Sequence, residues 1–360
     1  MSKLGFFAQS NFPPALKELR IRDCDSLQYL FDESMDSNTC LLEHLEVRGC
    51  SSLIWLSSRA DICNRLQHLR IYGCPKLSSL FLNSKLPVML KRLSISGCWV
   101  LECVAQDLHE TTDLEIIQIR EVQSIKSLPS GLDKLRHLQE ISLRDCSNLV
   151  ACFKEIGLPS TNLRVVKIMN CENFGALPKC INSFTSLREL RVSHISFPEE
   201  GFPTGLATLE ISGAPEVYSS LVEWGFYRLT YLQVLRISGE GCSNVVSFPE
   251  ESRGMTLPPS LRSIRISNFK NLEFMCSKGF QHLTCLEELG ICNCPKLTSL
   301  LGKDVLLSLG CLSIDRCPLL KEECTRFKGR EWSKISHIPR VVIDGYLKLQ
   351  WELSIIKVLD

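Results

Sequence analysis

A frame of the form L-x-x-L-x-[IVL]-x-x-C-x-x-L-x-x-L recurs along this chain. It reads LKELRIRDCDSLQYL from Leu16, LEHLEVRGCSSLIWL from Leu42, LQHLRIYGCPKLSSL from Leu66 and LKRLSISGCWVLECV from Leu90. Further copies begin at Leu114, Leu138, Leu163, Leu187, Leu206, Leu232, Leu261, Leu286 and Leu309, and a degenerate one at Ile338. Their mean spacing is about 25 residues. A unit this short cannot close a core of its own, so it must bury its apolar side against the copies before and after it. Length alone, 360 residues, would suggest two or three domains of ~100 to 200 residues each. The repetition instead predicts one solenoid.

Within each copy the second leucine and the following aliphatic are two residues apart, so they share one side of a short strand. They are expected to point inward, with the residues between and around them facing solvent. A period inside the ~20 to 29 residue window is that of leucine-rich repeats. The predicted fold class is therefore α/β, a leucine-rich-repeat solenoid or horseshoe of about 14 irregular repeats, with a parallel concave β-sheet and a mostly irregular convex side. Five copies are entered through an aromatic or leucine followed by proline, at Phe12-Pro13, Leu86-Pro87, Leu158-Pro159, Phe202-Pro203 and Leu257-Pro258. Proline fixes φ and lacks a donor, which suits an extended approach to a strand. SLPSGLDKLRHL and ALPKCINSFTSL have the apolar spacing of short helical turns. Two copies are irregular: the step from Leu187 to Leu206 is 19 residues, and Gly-Glu-Gly before Cys242 adds two. The expected organisation is a lead-in at 1–11, the repeats at 12–345 and a tail at 346–360.

Composition narrows the chemistry. A net charge of +1 lacks the basic excess of a nucleic-acid binder, so no nucleic-acid partner is expected. The 19 cysteines are an odd number, which excludes a fully paired disulfide framework. The amino terminus has no signal-peptide pattern, no apolar run approaches a membrane span, and no Asn-x-Ser/Thr acceptor occurs. A cytoplasmic location with free thiols follows as the expectation. Nine cysteines (24, 50, 74, 98, 146, 171, 242, 294 and 317) share one repeat position. Recurrence of that kind marks small buried spacers rather than a nucleophile. H-E-x-x-H, G-x-S-x-G and paired C-x-x-C motifs are absent. Cys292 and Cys294 form a C-x-C, but the frame sends them to opposite sides. No enzyme activity, cofactor or metal is expected. His44 and His68 fall in one column of successive copies and read as surface residues, and Trp55, Trp99 and Trp224 as packing residues on loops.

The segments IYGCPKLSSL, ICNCPKLTSL and SLPSGLDKLRHLQEISLRDCSNL, with the ending CPLLKEECTRFKGREWSKISHIPRVVIDG, resemble the leucine-rich-repeat domain of plant nucleotide-binding leucine-rich-repeat disease-resistance proteins of the coiled-coil class. The ending is the most specific part, carried by Cys317 to Leu320, Gly329, Trp332, Lys334, Ile335, His337, Ile338 and Pro339. The resemblance spans residues 12 to 345. The chain has no G-x-x-x-x-G-K-[ST] loop and no visible amino-terminal coiled coil, so it looks like the sensor half of such a receptor, either a fragment or a truncated gene product. The resemblance implies a protein-recognition domain that senses pathogen effectors or modified host proteins and restrains a nucleotide-binding module in cis or in trans. The alternative is the substrate-receptor solenoid of an F-box type ubiquitin ligase, although no F-box-like segment precedes Leu16.

Aligning the solvent-facing columns locates the expected contact surface. The position between the two inward residues holds Arg20, Arg70, Lys167 and Arg191; the position after the inward aliphatic holds Arg22, Arg48, Tyr72, Arg120 and Arg144. These nine residues are the expected partner-binding set on the concave face. Its amino-terminal half is a local cationic excess on a nearly neutral chain, suited to an acidic protein surface. Glutamates in the preceding column, among them Glu18, Glu140 and Glu189, could neutralise part of it by cross-strand pairing.

Overall fold

The computed structural model describes residues 15–31, 40–108, 113–151, 153, 157–324 and 329–347. Phe12-Pro13, the amino-terminal lead-in and the tail beyond residue 347 lie outside them. The chain forms two compact units, one of residues 1–187 with 193–198 and one of residues 188–192 with 199–360.

The first unit stacks β1 (Glu18–Arg22), β2 (His44–Arg48), β3 (His68–Tyr72), β4 (Arg92–Ser96), β5 (Ile116–Arg120), β6 (Glu140–Arg144) and β7 (Val165–Met169). Each strand pairs in parallel with the next, and the same repeat positions face one another, as in Leu45 with Leu69 and Val47 with Ile71. A one-residue slip would turn the leucines to solvent, so burial fixes the register. Leu69 and Ile71 are fully buried as the frame requires. Leu19 is only half-buried, because among the described strands β1 has a neighbour, β2, on one side alone.

The second unit carries β8 (Glu189–Ser193) apart from its last residue, β9 (Thr208–Ser212), β10 (Val234–Ser238), β11 (Ser247–Phe248), β12 (Ser263–Ser267), β13 (Phe274–Met275), β14 (Glu288–Cys292), β15 (Cys311–Asp315), β16 (Arg340–Ile343) and β17 (Tyr346–Leu347). From β9 the ladder runs in parallel through β10, β12, β14, β15 and β16. There β17 turns back antiparallel on β16, which occupies part of the ladder that an edge strand would leave open. The short pair β11 and β13 forms a second ladder away from the main one.

Every rung must turn sharply where its strand ends, and the residue there adopts a left-handed backbone in nearly every copy: Asp23, Gly49, Gly73, Gly97, Glu121, Asp145, Asn170, His194, Gly213, Asn268, Asn293, Arg316 and Asp344. Glycine, aspartate and asparagine tolerate that region best. Gly49 needs the absence of a side chain twice over, since its φ is 66° and a Cβ would run into the Asp23 carboxylate. The turn also aims its N–H at the next rung, as in Asp23 to the Arg48 carbonyl at 2.9 Å and Gly73 to that of Ser96 at 2.9 Å.

The cysteine that follows completes the turn. Cys50, Cys74, Cys98, Cys146, Cys171, Cys294 and Cys317 each donate the thiol to the carbonyl two residues back, at 3.3–3.7 Å. A small apolar residue with a weak donor thus fills the corner and satisfies a strand-end carbonyl. Of the nine consensus cysteines all but Cys24 are buried, and burial pushes the Cys98 thiol up to about 11. Thiolate is the reactive form. With a chromogenic disulfide reagent at pH 8, the exposed Cys180 and Cys285 are expected to react first and the buried column slowly. Denaturation without reductant should then release nearly all 19 cysteines; a shortfall of several thiols would contradict the free-thiol expectation.

The return segments are short and irregular. Single 3-10 turns at Leu132–Lys134 and Ile181–Ser183 fall in the two stretches with helical spacing. The longer elements are α1 (Pro215–Ser220), α2 (Lys303–Leu306), α3 (Pro318–Glu323) and α4 (Trp332–Ile335).

Candidate functional site

The expected contact residues divide by whether a carboxylate already holds them. In the first unit the odd positions of each strand form three parallel columns on the open side of the sheet, with neighbours in a column one strand spacing apart, ~4.8 Å; Ser142 on β6 is the buried exception. Arg20 donates to Glu18 at 2.7 Å, Arg22 reaches Glu46 at 3.3 Å and Arg144 reaches Asp145 at 3.2 Å. Arg48, Arg70 and Arg120 are exposed, and no carboxylate holds them among the described residues. Tyr72 is half-buried, with its hydroxyl 3.4 Å from that of Ser94. Lys167 is half-buried as well. Pairing, across strands for Arg22 and within the same rung for Arg20 and Arg144, therefore removes part of the positive charge and leaves three guanidiniums on β2, β3 and β5. Glu140 is not one of the neutralising groups there, because it accepts from the Gln118 amide at 2.9 Å.

In the second unit Arg191 and Arg236 are held by carboxylates, whereas Arg265 at the same repeat position is exposed with none among the described residues. Arg191 is ion-paired to Glu189 and lies 3.5 Å from Glu210, and Glu210 is 3.4 Å from Arg236. With Arg191 31% and Glu210 22% exposed, this is a half-buried charge network. Its cations are already spent on their own carboxylates. The expected binding set thus separates into a free group, Arg48, Arg70 and Arg120, and a committed one that includes Arg191.

Two features lie outside the expected contact set. The imidazoles of His44 and His68 stack at a centroid distance of 4.4 Å. Arg92, exposed and held by no carboxylate among the described residues, is next in the same column. Like side chains at one repeat position were the available signal, since register places them side by side. The Gly-Glu-Gly insertion in the second unit forms, with Asn268 and Asn293, a polar recess of about 330 Å³ beside Cys242. A Cβ on Gly239 would collide with the Phe269 ring, which accounts for a glycine at that point.

The carboxy-terminal signature residues serve as a cap. Gly329 lies against the Glu323 carbonyl with no room for a Cβ. Glu331 accepts from the buried Leu300 N–H at 3.0 Å and from Lys334 at 2.8 Å. A His337 ring nitrogen lies 3.0 Å from the Leu306 carbonyl. Asp344 accepts from the Arg316 N–H at 2.8 Å and from Lys321 at 2.7 Å, and these contacts hold its carboxyl below the usual range. Among the described residues no group of three or more His, Cys, Asp or Glu side chains could hold a metal ion, and no helix is long and apolar enough to cross a membrane.

Stacked strands on a 25-residue frame, nearly all closed by a left-handed turn and most followed by a buried cysteine, define a leucine-rich-repeat solenoid. Over 238 residues the chain is 34% identical to a disease-resistance protein of Arabidopsis thaliana, covering 64% of this chain and 16% of that protein. The chain is thus similar over this span to a plant disease-resistance protein and spans about a sixth of that protein's length. No family profile matches the chain. Among solved structures it is similar to the leucine-rich-repeat domain of the type III effector XopL, with a TM-score of 0.33 and 16% identity over 92% of this chain and 77% of that one. The plant peptide hormone receptor RGFR1 in complex with RGF2 gives a TM-score of 0.34 and 13% identity over 91% and 80%.

Proposed function

We propose that this chain is the recognition domain of an intracellular plant immune receptor, cytoplasmic and non-catalytic, which senses a pathogen effector or a modified host protein and restrains a nucleotide-binding module. The relative and the repeat frame support this class of protein. The observation that carries the docking part is the set of exposed guanidiniums on the first unit, Arg48, Arg70 and Arg120, which lack the carboxylate partners that hold Arg191 and Arg236 in the second. Exposed pairs stabilise a fold little, whereas free cations on an open sheet face favour an acidic protein surface. The nucleotide-binding module of the resting receptor is the acidic partner in this reading.

The test is a binding titration between this chain and the nucleotide-binding module of the same receptor, from about 50 to 300 mM salt. The unmutated pair is expected to weaken steeply with salt. The triple variant Arg48→Glu, Arg70→Glu, Arg120→Glu should lose roughly tenfold or more in affinity, the equivalent of ~1.4 kcal/mol. An unchanged affinity, with circular dichroism showing an intact fold, would rule out this surface.

A further inference from the structure

The amino-terminal rungs hold two imidazoles that electrostatic docking alone does not use. His44, His68 and Arg92 are consecutive Cα partners in one outward column. The two rings stack with their planes 26° apart. Beside them the open face sinks into a recess of about 250 Å³, lined by Glu18, Arg20, His44, Glu46, His68 and Arg70. That volume is roughly eight waters at ~30 Å³ each, enough for one or two carboxylate side chains.

The charges around the recess select its occupant. Its two carboxylates are occupied, Glu18 by Arg20 and Glu46 by Arg22. Just below the column, Glu43 is held by Lys17 at 2.9 Å. Arg70 in the recess and Arg92 beside it have no carboxylate among the described residues, and Glu115 is the remaining acidic group that acts on His68. A cationic ligand would meet two free guanidiniums, and an apolar one would strip water from them without return. An anion instead gains a planar fork from Arg70 and two ring edges able to donate.

The imidazoles add a second property. Burial, reinforced by His44, Arg92 and Arg70, holds the pKa of His68 below the usual histidine range, which favours the neutral ring in the free protein. Bringing a carboxylate into the recess reverses the local field and favours the protonated ring. The sign follows from linkage: a group whose pKa is higher in the complex than in the free protein takes up a proton on binding. Affinity then rises as pH falls through that interval and levels off below the free value.

We propose that this recess binds the carboxylate side chains of an acidic peptide segment, gripped by Arg70 and bordered by His44 and His68, and that it takes up a proton as it does so. The inference rests on the docking reading above and adds to it a specific pocket and a pH dependence. It also assigns His44 and His68 a role beyond that of ordinary surface residues.

The experiment uses the full chain and a fluorescently labelled peptide of ten aspartates, followed by anisotropy at pH 7.5 and 5.5 and constant ionic strength. Aspartate, with a pKa of ~3.9, stays ionised at both. Uptake of one proton allows up to about tenfold tightening per pH unit, so binding roughly three- to tenfold tighter at pH 5.5 is expected. The double variant His44→Gln, His68→Gln keeps polar side chains but cannot titrate; it should bind at both pH values with about the pH 7.5 affinity of the unmutated chain. Arg70→Gln should weaken binding at both. Equal affinity of the unmutated chain at the two pH values, or a pH dependence kept by the double variant, would overturn the inference and leave the docking reading standing. No binding at either pH in low salt would overturn both.

Discussion

Replacing Phe269 with alanine is expected to lower the stability of the second unit by about 3 to 5 kcal/mol, the usual cost of removing a buried aromatic ring. Phe269 is fully buried, meets Tyr218 edge-on at a centroid distance of 5.6 Å and lies 6.2 Å from Phe248. It also fills the space over Gly239, where the inserted residues detour before the chain returns to Cys242. Neighbouring rungs stabilise one another chiefly through shared apolar contacts, so a hole there is felt by the rungs of β10 and β12 together. Urea unfolding followed by circular dichroism would measure the loss. The complementary change, Gly239→Ala, adds one methyl to the same contact and should also destabilise, because the ring has to move to admit it. A loss below about 1 kcal/mol for Phe269→Ala would mean that the aromatic cluster is not a tightly packed core.

The pattern of burial was the most legible property of the sequence. A leucine and an aliphatic two positions apart dictate a strand with one buried side, and recurrence at one spacing dictates that such strands align. The residue pairs implied by stacking the copies, such as Arg20 with Glu46 and Glu46 with Arg70, are the observed Cα partners. The consensus cysteine was legible as a buried spacer. Its hydrogen bond to the strand-end carbonyl was not, because that depends on the left-handed turn just before it. The turn had a signal in the run of Asp, Gly and Asn at one repeat position, blurred by Glu121, His194 and Arg316, which adopt the same backbone.

The site was less legible because column alignment ranks charges but does not pair them. Arg22 and Arg48 are equivalent in the frame, yet Arg22 can reach Glu46 across to β2 whereas the residue in that place on β3 is Arg70. Pairing depends on the neighbouring rung and on side-chain direction, neither of which the repeat fixes. The same reasoning separates Arg70 from Arg191 at one repeat position: the first adjoins Glu46 already held by Arg22, and the second lies within reach of both Glu189 and Glu210. Context along the stack, rather than residue type, decides which cation is left for a partner.

The carboxy-terminal signature yields the second large effect. The Glu331 side chain is only 7% exposed, and two donors satisfy its carboxylate: the Leu300 N–H and the Lys334 ammonium. Its field is felt nearby, since burial and then Glu331 push the Cys324 thiol up to about 12. In Lys334→Met the carboxylate would stay buried with one backbone donor and no counter-charge. Breaking a buried pair from one side costs about 3 to 5 kcal/mol; because Lys334 itself is 30% exposed, the lower end, ~3 kcal/mol, is expected. Adding Glu331→Gln to Lys334→Met removes the orphaned charge while an amide oxygen can still accept from Leu300, so the double variant should recover most of the loss. That non-additivity is the diagnostic, read from urea midpoints of the two single variants and the double. If Lys334→Met alone cost less than about 0.5 kcal/mol, the range of an ordinary surface substitution, the signature would not be holding the end of the stack closed through this pair.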